Sequence, residues 1–404
     1  MQPPLLTTAR AGPMKIAQIA PLNEAVPPRT YGGTERIVAY LTDELVTLGC
    51  DVTLFASAEA RTRGRLAPMR DRAIRLDNHP LKSECAAHLS MLKQVQARAH
   101  EFDVLHFPLF ESVAPRTLTT LHGRLDCKDY DGLFRAWPQY PLVSISHRQR
   151  LPLAHANWVG NVPHGIPAGA YPFTPRNRGD YLAFLGRIAP EKRPDLAIRI
   201  AQRAGIALKI AAKVDNVDVE YFRAAVRPLL DDPLIEFIGE IGEVRKGTFL
   251  GEALALLFPI DWPEPFGLVM IEAMACGTPV IAFNRGSVPE VIDDGITGAV
   301  VDSEDAAVEA IAWARSADRR RIRAVFEQRF SAATMARRYL RIYRQLASGR
   351  SPLLGAARGR EAAVAGSARS GTLGSVIGGA VTPGSVMPVA AAPGVADQVL
   401  PGVA

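Results

Sequence analysis

Short apolar runs alternate with longer amphipathic stretches along most of the chain. The first series has an apolar run at 14–22, a stretch at 34–49 with apolar residues three and four positions apart, and an apolar run at 51–57. These spacings predict a strand, a helix and a strand, with Thr34 as the helix N-cap and Gly49 as its end. The order predicts a βαβ unit and therefore a parallel sheet.

The same alternation continues and then restarts after a break. Further strands of the first sheet are predicted at 102–110, 116–123 and 141–147. The segment 161–180 is rich in proline and glycine, a composition typical of a linker. Beyond it, strands are predicted at 181–188, 207–214, 235–241, 255–260 and 279–284, and helices at 194–205, 219–230, 246–255, 267–275 and 303–315. We therefore expect an α/β protein with two doubly wound, Rossmann-like halves around a cleft.

These patterns divide the chain into five parts. We expect a disordered N-terminal lead at 1–13, followed by Rossmann-like domains at 14–165 and 166–317. The arginine-rich stretch 318–346 predicts a helical segment whose apolar positions pack on a domain and whose arginines mostly face solvent. From 351 to 404 the composition narrows to Ala, Gly, Ser, Pro and Val, which predicts a disordered tail without catalytic residues.

The composition is that of a globular protein, with 48% hydrophobic and 22% charged residues. Four scattered cysteines without a CxxC pair favour a reducing compartment over a disulfide framework or a zinc site. No window is long and apolar enough for a transmembrane helix, and the first 13 residues lack the apolar core of a signal peptide. We expect a cytoplasmic protein that starts at either Met1 or Met14.

The net charge of +6 leaves two interpretations open. A solvated basic surface is the simpler one, and peripheral contact with anionic lipid at the inner membrane face is the other. We expect no nucleic-acid partner.

Ligands of open α/β sheets bind beyond the carboxyl ends of the strands, so the residues that follow each strand are the candidates. Gly32 and Gly33 stand between the first strand and its helix, where they either bring backbone close to a ligand or form a plain tight turn. His122 follows a later strand and is either a cleft residue or a structural histidine. His106 ends its own strand in a similar way, with less to favour a functional role.

Two cations follow the first strand of the second half. Gly186 and Arg187 end this strand, and Lys192 stands five residues after Arg187. An arginine fork and a lysine charge beside a helix start suit a diphosphate, and the alternative is two solvated side chains on a loop. The segment is neither a Walker A loop nor a GxGxxG motif.

The stretch PEPFGLVMIEAMACG at 263–277 places two glutamates eight positions apart. Glu264 precedes a predicted helix, and Glu272 lies within it among apolar residues, where an unpaired carboxylate is costly to bury. Glu272 can bind a diol such as ribose or form an internal ion pair. The helix start should direct unpaired backbone amides into the cleft, where they favour phosphate; these amides belong to Phe266, Gly267, Leu268 and Val269.

Four motifs in this order resemble those of family 4 of the retaining glycosyltransferases, the glycosyl transferases group 1. They are YGGTER at 31–36, TLHG at 120–123, GRIAPEK at 186–192 and the pair of glutamates at 264 and 272. The resemblance covers about 14–346. It implies the GT-B fold, and it implies transfer of a sugar from a nucleotide-diphosphate sugar to an acceptor with retention of anomeric configuration.

The resemblance also implies roles on the donor side. Arg187 and Lys192 would hold the diphosphate, and Glu272 would bind the ribose. Glu264 would bind the transferred sugar, helped by the amides at 266–268. No metal or other cofactor is expected, because the family works without a divalent ion and no DxD motif stands in a suitable loop.

Further roles fall on both halves. Gly33 would approach the diphosphate from the first half, and His122 would lie near the sugar and the acceptor. The loop 239–241, with Ile241, would receive the nucleobase. His164 is expected to be structural, since PHGIP stands where many relatives carry an asparagine-glycine turn. The candidate catalytic residues are His122, Glu264, Arg187 and Lys192.

Two alternatives stay open. A nucleotide-sugar epimerase of the GT-B class shares the fold and the donor, and a degenerate protein would bind sugar nucleotide without catalysis. The nucleobase, the sugar and the oligomeric state are left open as well. The acceptor, whether a saccharide, a lipid or a small molecule, is also undetermined.

Overall fold

The computed structural model describes residues 12–29, 32–79, 81–107, 117–176 and 180–348. The tail predicted at 351–404 and nearly all of the lead predicted at 1–13 lie outside the described residues. All described residues belong to one compact unit. The domain boundaries inferred from the sequence therefore stay predictions.

The first sheet is parallel, and its strands lie in the order β3-β2-β1-β4-β5-β6-β7. Its strands are β1 (Lys15–Ile19), β2 (Asp51–Ser57), β3 (Arg65–Arg70), β4 (Val104–Phe107), β5 (Thr117–Thr120), β6 (Leu142–Ser144) and β7 (Trp158–Asn161). The helices along this part of the chain are α1 (Gly33–Thr47), α2 (Glu84–Arg98) and α3 (Lys128–Ala136).

The second sheet is also parallel, in the order β10-β9-β8-β11-β12-β13. Its strands are β8 (Tyr181–Ile188), β9 (Ala207–Val214), β10 (Ile235–Gly239), β11 (Ala255–Phe258), β12 (Val280–Phe283) and β13 (Gly298–Val301). The helices are α4 (Pro194–Ala204), α5 (Val219–Tyr221), α6 (Glu243–Gly251), α7 (Leu268–Cys276), α8 (Val288–Val291), α9 (Glu304–Ser316), α10 (Arg319–Phe330) and α11 (Ala332–Ala347).

Each predicted strand contains an observed one, which confirms the predicted α/β organisation with two parallel sheets. Over the described residues, no helix combines the length and apolar character needed to cross a bilayer. The strand predicted at 102–110 is described as far as Phe107. The strands β3, β7 and β13 and the helices α2, α3 and α8 were not predicted from the sequence.

Three helix predictions need correction. The N-cap of α1 is Gly32 rather than Thr34, and no side chain caps the start of that helix. The prediction that α1 ends at Gly49 is confirmed, since this residue has a φ of 84° just after the helix. The helix predicted at 219–230 is helical from 219 to 229 but changes from α through π to 3-10 geometry, and Pro228 lacks the backbone N–H that a continued α-helix requires there. The helix predicted at 246–255 ends at Gly251, and the Leu254 N–H already donates to the carbonyl of Tyr181 in the sheet at 2.8 Å.

The C-terminal helices pack on both sheets, as their apolar positions predicted. In α10, Phe326 and Phe330 are buried against the second sheet's core, whereas in α11 Tyr339 and Tyr343 are buried against the first. The expectation that the arginines mostly face solvent is wrong for Arg319. Its guanidinium is buried and donates to the carbonyls of residues 251 and 253, and this burial lowers its pKa to about 10.

A buried chain of hydrogen bonds ties α11 to the first sheet. The Gln18 amide donates to the Tyr343 hydroxyl at 3.0 Å, and that hydroxyl lies 2.6 Å from Nδ1 of His106. His106 Nε2 lies 2.7 Å from Oγ1 of Thr120, which in turn lies 2.9 Å from the Tyr339 hydroxyl. Burial lowers the pKa of His106 to about 3, so the ring is neutral and serves the core.

We predict that His106→Gln weakens the pH dependence of the free energy of unfolding between pH 6.5 and about 3. Folded His106 stays neutral in this range, whereas the unfolded residue takes up a proton. The contribution of His106 to the free energy of unfolding is therefore complete above pH 6.5 and is lost as the pH falls. Removing it lowers the slope by up to about 1.4 kcal/mol per pH unit. Urea unfolding at successive pH values measures this slope.

The control is His100→Gln, which replaces an exposed histidine. Comparing slopes rather than absolute stabilities separates proton uptake from the hydrogen bonds that His106→Gln also loses. A slope in His106→Gln equal to that of the wild type would contradict the prediction.

Candidate active site

A cavity of about 400 Å³ lies between the carboxyl ends of the two sheets. We call it the main cavity. Eleven of the residues predicted for donor binding line it: Gly32, Gly33, Gly186, Arg187, Lys192, Ile241, Glu264, Gly267, Leu268, Val269 and Glu272. Residues far apart in sequence therefore meet where the strand-end rule placed them.

A second cavity of about 380 Å³ adjoins the first, and we call it the side cavity. The two share Gly32, Gly33, Glu264, Gly267 and Leu268 as walls. The other two candidates, His122 and Phe266, line the side cavity and are not among the residues that line the main one.

The sharp turn before α7 places the helix start in the main cavity. Gly267 has a φ of 79°, in the left-handed region, and an added Cβ would lie 2.7 Å from Cε of Met270 and 3.2 Å from Cζ of Phe258. Glycine alone fits this turn without strain. The turn leaves the amides of Leu268 and Val269 in the first turn of α7, where backbone donors lack intrahelical partners.

Glu264 is held by both its backbone and its carboxylate. The backbone carbonyl accepts a hydrogen bond from the Ser287 N–H at 2.9 Å. The carboxylate lies 2.5 Å from Nζ of Lys192 and accepts from Nε1 of Trp262 at 2.9 Å. Lys192 Nζ also lies 4.5 Å from the centre of the Trp262 ring, so the ammonium is fixed by charge and by the aromatic face.

Arg187 faces at least three carboxylates. It forms an ion pair with Glu191, lies 3.5 Å from Asp218 and lies 3.8 Å from Asp215. Its side chain is 29% exposed, so the alternative of freely solvated cations on a loop is wrong for Arg187 and for Lys192, which is 22% exposed. Both cations are partly desolvated at the cavity wall.

Glu272 takes part in a buried cluster of charges. Arg36 Nη1 lies 3.4 Å from its carboxylate, Lys246 Nζ lies 3.3 Å away, and the Tyr171 hydroxyl donates to it at 3.1 Å. Both cations also pair with Glu243, Arg36 at 2.5 Å and Lys246 at 2.8 Å. The internal ion pair that was one alternative for Glu272 is present, and the same carboxylate still lines the main cavity.

The charges of this cluster stabilise one another. Burial alone lowers the pKa of Arg36, but the carboxylates of Glu272 and Glu243 outweigh it and the pKa is raised. Burial raises the pKa of Glu243, and the nearby cations, Lys246 first and then Arg36, lower it below its ordinary value. Ionised forms are therefore favoured despite burial.

The side cavity holds two stacked histidines. The rings of His122 and His164 lie 5.1 Å apart at an angle of 13°, with Nδ1 of His122 3.4 Å from Nε2 of His164. His164 also meets the Phe266 ring edge-on at 4.9 Å. Burial lowers the pKa of His122 to about 4 and holds that of His164 well below its ordinary value. Both rings are neutral at physiological pH.

Four residues of the cluster were not predicted from the sequence, and neither were Asn23, Glu35 and Arg75 of the side cavity. Arg36 and Glu35 belong to the quoted motif YGGTER, so their adjacency to the glycines was an available signal. Tyr171, Glu243 and Lys246 stand in no motif, and nothing in the sequence joins them to Glu272. Glu35 is buried in the side cavity, and burial raises its pKa.

Two family models match adjoining parts of the chain. The model described as Glycosyltransferase Family 4 matches residues 31–162, and the model described as Glycosyl transferases group 1 matches residues 173–327. The chain belongs to the family 4, group 1 glycosyltransferases. These matches do not favour the epimerase alternative.

Curated relatives match over a shorter range. The chain is 36% identical over 155 residues to D-inositol 3-phosphate glycosyltransferase of Salinispora tropica, covering 35% of this chain and 31% of that protein. It is 35% identical over 136 residues to the protein of the same name from Mycolicibacterium smegmatis, covering 31% of this chain and 29% of that protein. The chain thus spans about a third of the length of these relatives.

Solved structures match over most of the described fold. AviGT4, a glycosyltransferase involved in avilamycin A biosynthesis, superposes with a TM-score of 0.65 at 23% identity, covering 83% of this chain and 99% of that one. Sucrose-phosphate synthase from Thermosynechococcus elongatus superposes with a TM-score of 0.63 at 20% identity, covering 83% of this chain and 100% of that one. Anabaena HepE, solved with UDP and glucose, superposes with a TM-score of 0.60 at 15% identity, covering 81% of this chain and 98% of that one. The fold is GT-B.

We predict that Gly267→Ala destabilises the protein more than Gly295→Ala. Both glycines have positive φ, 79° and 70°, so each substitution incurs a backbone cost of about 1–2 kcal/mol. A Cβ at Gly295 meets nothing within 4 Å, whereas one at Gly267 meets Met270 and Phe258, so overpacking should add about 1 kcal/mol or more. Denaturant unfolding of the two variants measures the difference.

A further readout links the turn to the cavity. Gly267→Ala should also weaken nucleotide binding, because it shifts the start of α7, whereas Gly295→Ala should not. Equal stability losses with equal nucleotide affinities would contradict a role for this turn.

Proposed function

We propose that the protein transfers a sugar from a nucleotide-diphosphate sugar to an acceptor, with retention of anomeric configuration and without a metal ion. The observation that carries this proposal is the convergence of Arg187, Lys192, Glu264, Glu272 and the start of α7 on one cavity. Family membership and neighbours solved with UDP or UDP-glucose support a nucleotide-sugar donor.

The diphosphate of the donor would lie between the cations and the start of α7. Arg187 offers a planar fork, Lys192 a compact charge, and the amides of Leu268 and Val269 add donors to phosphate oxygens. Gly33 of α1 supports a close approach from the other sheet, since a Cβ there would lie 3.4 Å from Cδ1 of Leu268. Together these groups would stabilise the charge that grows on the departing nucleotide.

The two glutamates would have different tasks. Glu272 would accept hydrogen bonds from the ribose hydroxyls, with its carboxylate held in place by Arg36 and Lys246. Glu264, oriented by Lys192 and Trp262, would bind hydroxyls of the transferred sugar. They are not proposed as a glycosidase pair of acid and nucleophile.

Transfer would proceed on one face of the sugar. The bond from the anomeric carbon to the diphosphate oxygen breaks, the acceptor oxygen bonds to that carbon, and the acceptor proton passes to the departing diphosphate. The neutral His122 in the side cavity would serve as a hydrogen-bond partner of the sugar or acceptor rather than as a cationic acid. Ile241 would lie beside the nucleobase.

Among the described residues, no group of three or more His, Cys, Asp or Glu side chains is arranged to hold a metal ion. Metal independence remains part of the proposal. Its positive support is the pair of cations already in the main cavity, which can neutralise phosphate charge.

We predict that Lys192→Ala and Arg187→Ala each weaken nucleotide binding by about 10- to 100-fold. Each removes a charged hydrogen bond to phosphate, which contributes about 1.5–3 kcal/mol. Calorimetry with UDP, GDP and ADP in the presence of EDTA measures the affinity and tests metal independence together.

The control is Lys209→Ala, a lysine on β9 that pairs with Glu236 and is not among the residues lining the main cavity. It should bind nucleotide like the wild type. Wild-type protein that binds none of the three nucleotides, with or without Mg²⁺, would overturn the proposal.

We predict that Glu264→Ala abolishes transfer while nucleotide affinity falls less than threefold. Because the carboxylate is proposed to bind the transferred sugar, its loss should lower the transfer rate rather than the affinity for the nucleotide. Mass spectrometry of products, after a screen of donors, measures transfer, and calorimetry measures binding.

Glu290→Ala is the comparison. That carboxylate accepts hydrogen bonds from the amides of His147 and Arg148, outside both cavities, and the variant should retain transfer if it folds. An equal loss of transfer and nucleotide binding in Glu264→Ala would remove Glu264 from the sugar role.

A further inference from the structure

A third cavity lies at the carboxyl end of β1, beneath α2. Its volume is about 420 Å³, within the range of about 300–1,000 Å³ that is typical of small-molecule sites. The walls are mostly apolar, with Ile19, Ala20 and Pro21 on one side and Leu89, Met91 and Leu92 of α2 on the other. We call it the α2 pocket.

Leu89 is the part of the apolar wall of the α2 pocket that the protein's own packing leaves exposed. Leu89 is 61% exposed, although the fully buried Met91 and Val95 of the same helix already anchor α2 on the sheet. A single exposed leucine is ordinary on a protein surface. Its position in the wall of a concave, apolar pocket is what indicates a ligand.

The pocket's walls are fixed in place by polar contacts. Nε2 of His88 accepts a hydrogen bond from the Leu22 N–H at 3.2 Å, which leaves its Nδ1–H to donate to the Glu84 carbonyl at 2.8 Å. The Ser83 side chain caps the start of α2. Both ring nitrogens of His88 are thus occupied, and the rest of the lining is apolar apart from Asn23, Glu84 and Cys85.

Asn23 lines both the α2 pocket and the side cavity, so the two cavities are neighbours. Its Oδ1 atom is buried and has no hydrogen-bond partner among the described residues. The side cavity beyond it is polar, with Glu35, Arg75 and His122 in its walls. A polar cavity beside the proposed transfer site and an apolar pocket therefore adjoin at Asn23.

We propose that these two adjoining cavities together bind the acceptor, and that the acceptor is a small amphiphile. Its hydroxyl-bearing end would lie in the side cavity beside Asn23 and His122, and its alkyl or aromatic end would fill the α2 pocket. This inference rests on the proposed function, since it names the class of acceptor for that transfer.

Burial of the apolar end should show as a gain in affinity with chain length. Each methylene that leaves water improves binding about fourfold. An octyl glycoside should therefore bind at least tenfold more tightly than the matching methyl glycoside, both below the concentration at which the octyl compound forms micelles.

Cys85 offers a readout that needs no catalysis. It is exposed and lines the α2 pocket, whereas the exposed Cys127 does not and serves as an internal control. Octyl glycosides of glucose, mannose and galactose should slow the labelling of Cys85 by iodoacetamide at least threefold, and methyl glycosides should not. Labelling of Cys127 should be unchanged by all of them.

Three variants locate the effect. Leu89→Arg places a charge in the pocket wall at an exposed position and should abolish the protection of Cys85, whereas Leu89→Met should retain it. Leu81→Arg changes a leucine that is 83% exposed and is not among the residues lining the pocket. In this variant Cys85 should be protected as well as in the wild type. Unfolding curves and nucleotide calorimetry confirm that each variant is folded and still binds donor.

The outcomes separate the two proposals. If the wild type binds nucleotide but no octyl glycoside protects Cys85, the acceptor inference fails and the proposed function stands. If Leu89→Arg is protected as well as the wild type, the α2 pocket is not the site and the inference fails. Protection without any nucleotide binding by the wild type overturns both the proposed function and the assignment of this pocket to an acceptor.

Discussion

The packing of α11 on the first sheet is the contact on which the main cavity depends. The chain passes to the second sheet after β7 and returns to the first through α10. The two connecting segments touch where Gly165 lies against Ser331. A Cβ on Gly165 would lie 2.5 Å from the Ser331 carbonyl oxygen. Apolar burial and the hydrogen bonds of His106, Tyr339 and Tyr343 then fix α11. Because the cavity's walls come from both sheets, losing this contact would separate them.

Charge balance is the second constraint on the cleft. Arg187 and Lys192 face carboxylates, and so do Arg36 and Lys246, which avoids the large cost of an unpaired buried charge. On the proposed function, a diphosphate gives these cations another anionic partner, so they are never left desolvated and alone. Arg36 of α1 pairs with both Glu272 of α7 and Glu243 of α6, so its ion pairs join the two halves at the proposed ribose position.

The elements that the sequence predicted well are buried on both faces. β8 and β9 match their predicted bounds because each has a mainly apolar run, and a linker, a proline and a glycine bound these runs. By contrast, β3 and α2 lie at the edge of the first sheet and expose many side chains, so their apolar pattern is diluted. The Thr34 cap failed because a glycine can also precede a helix, and propensity alone does not decide between them.

The sequence by itself determined the order of most strands and helices, and it placed the motif residues at strand ends, because local spacing encodes both. It could not determine the partners of Glu272: Arg36 stands 236 residues away, and only the folding of two sheets against each other brings them together. The division of the candidates between two cavities, with Phe266 and His122 on one side, was likewise decided by tertiary packing. Side-chain direction depends on what each residue packs against, and that information lies outside any local window of sequence.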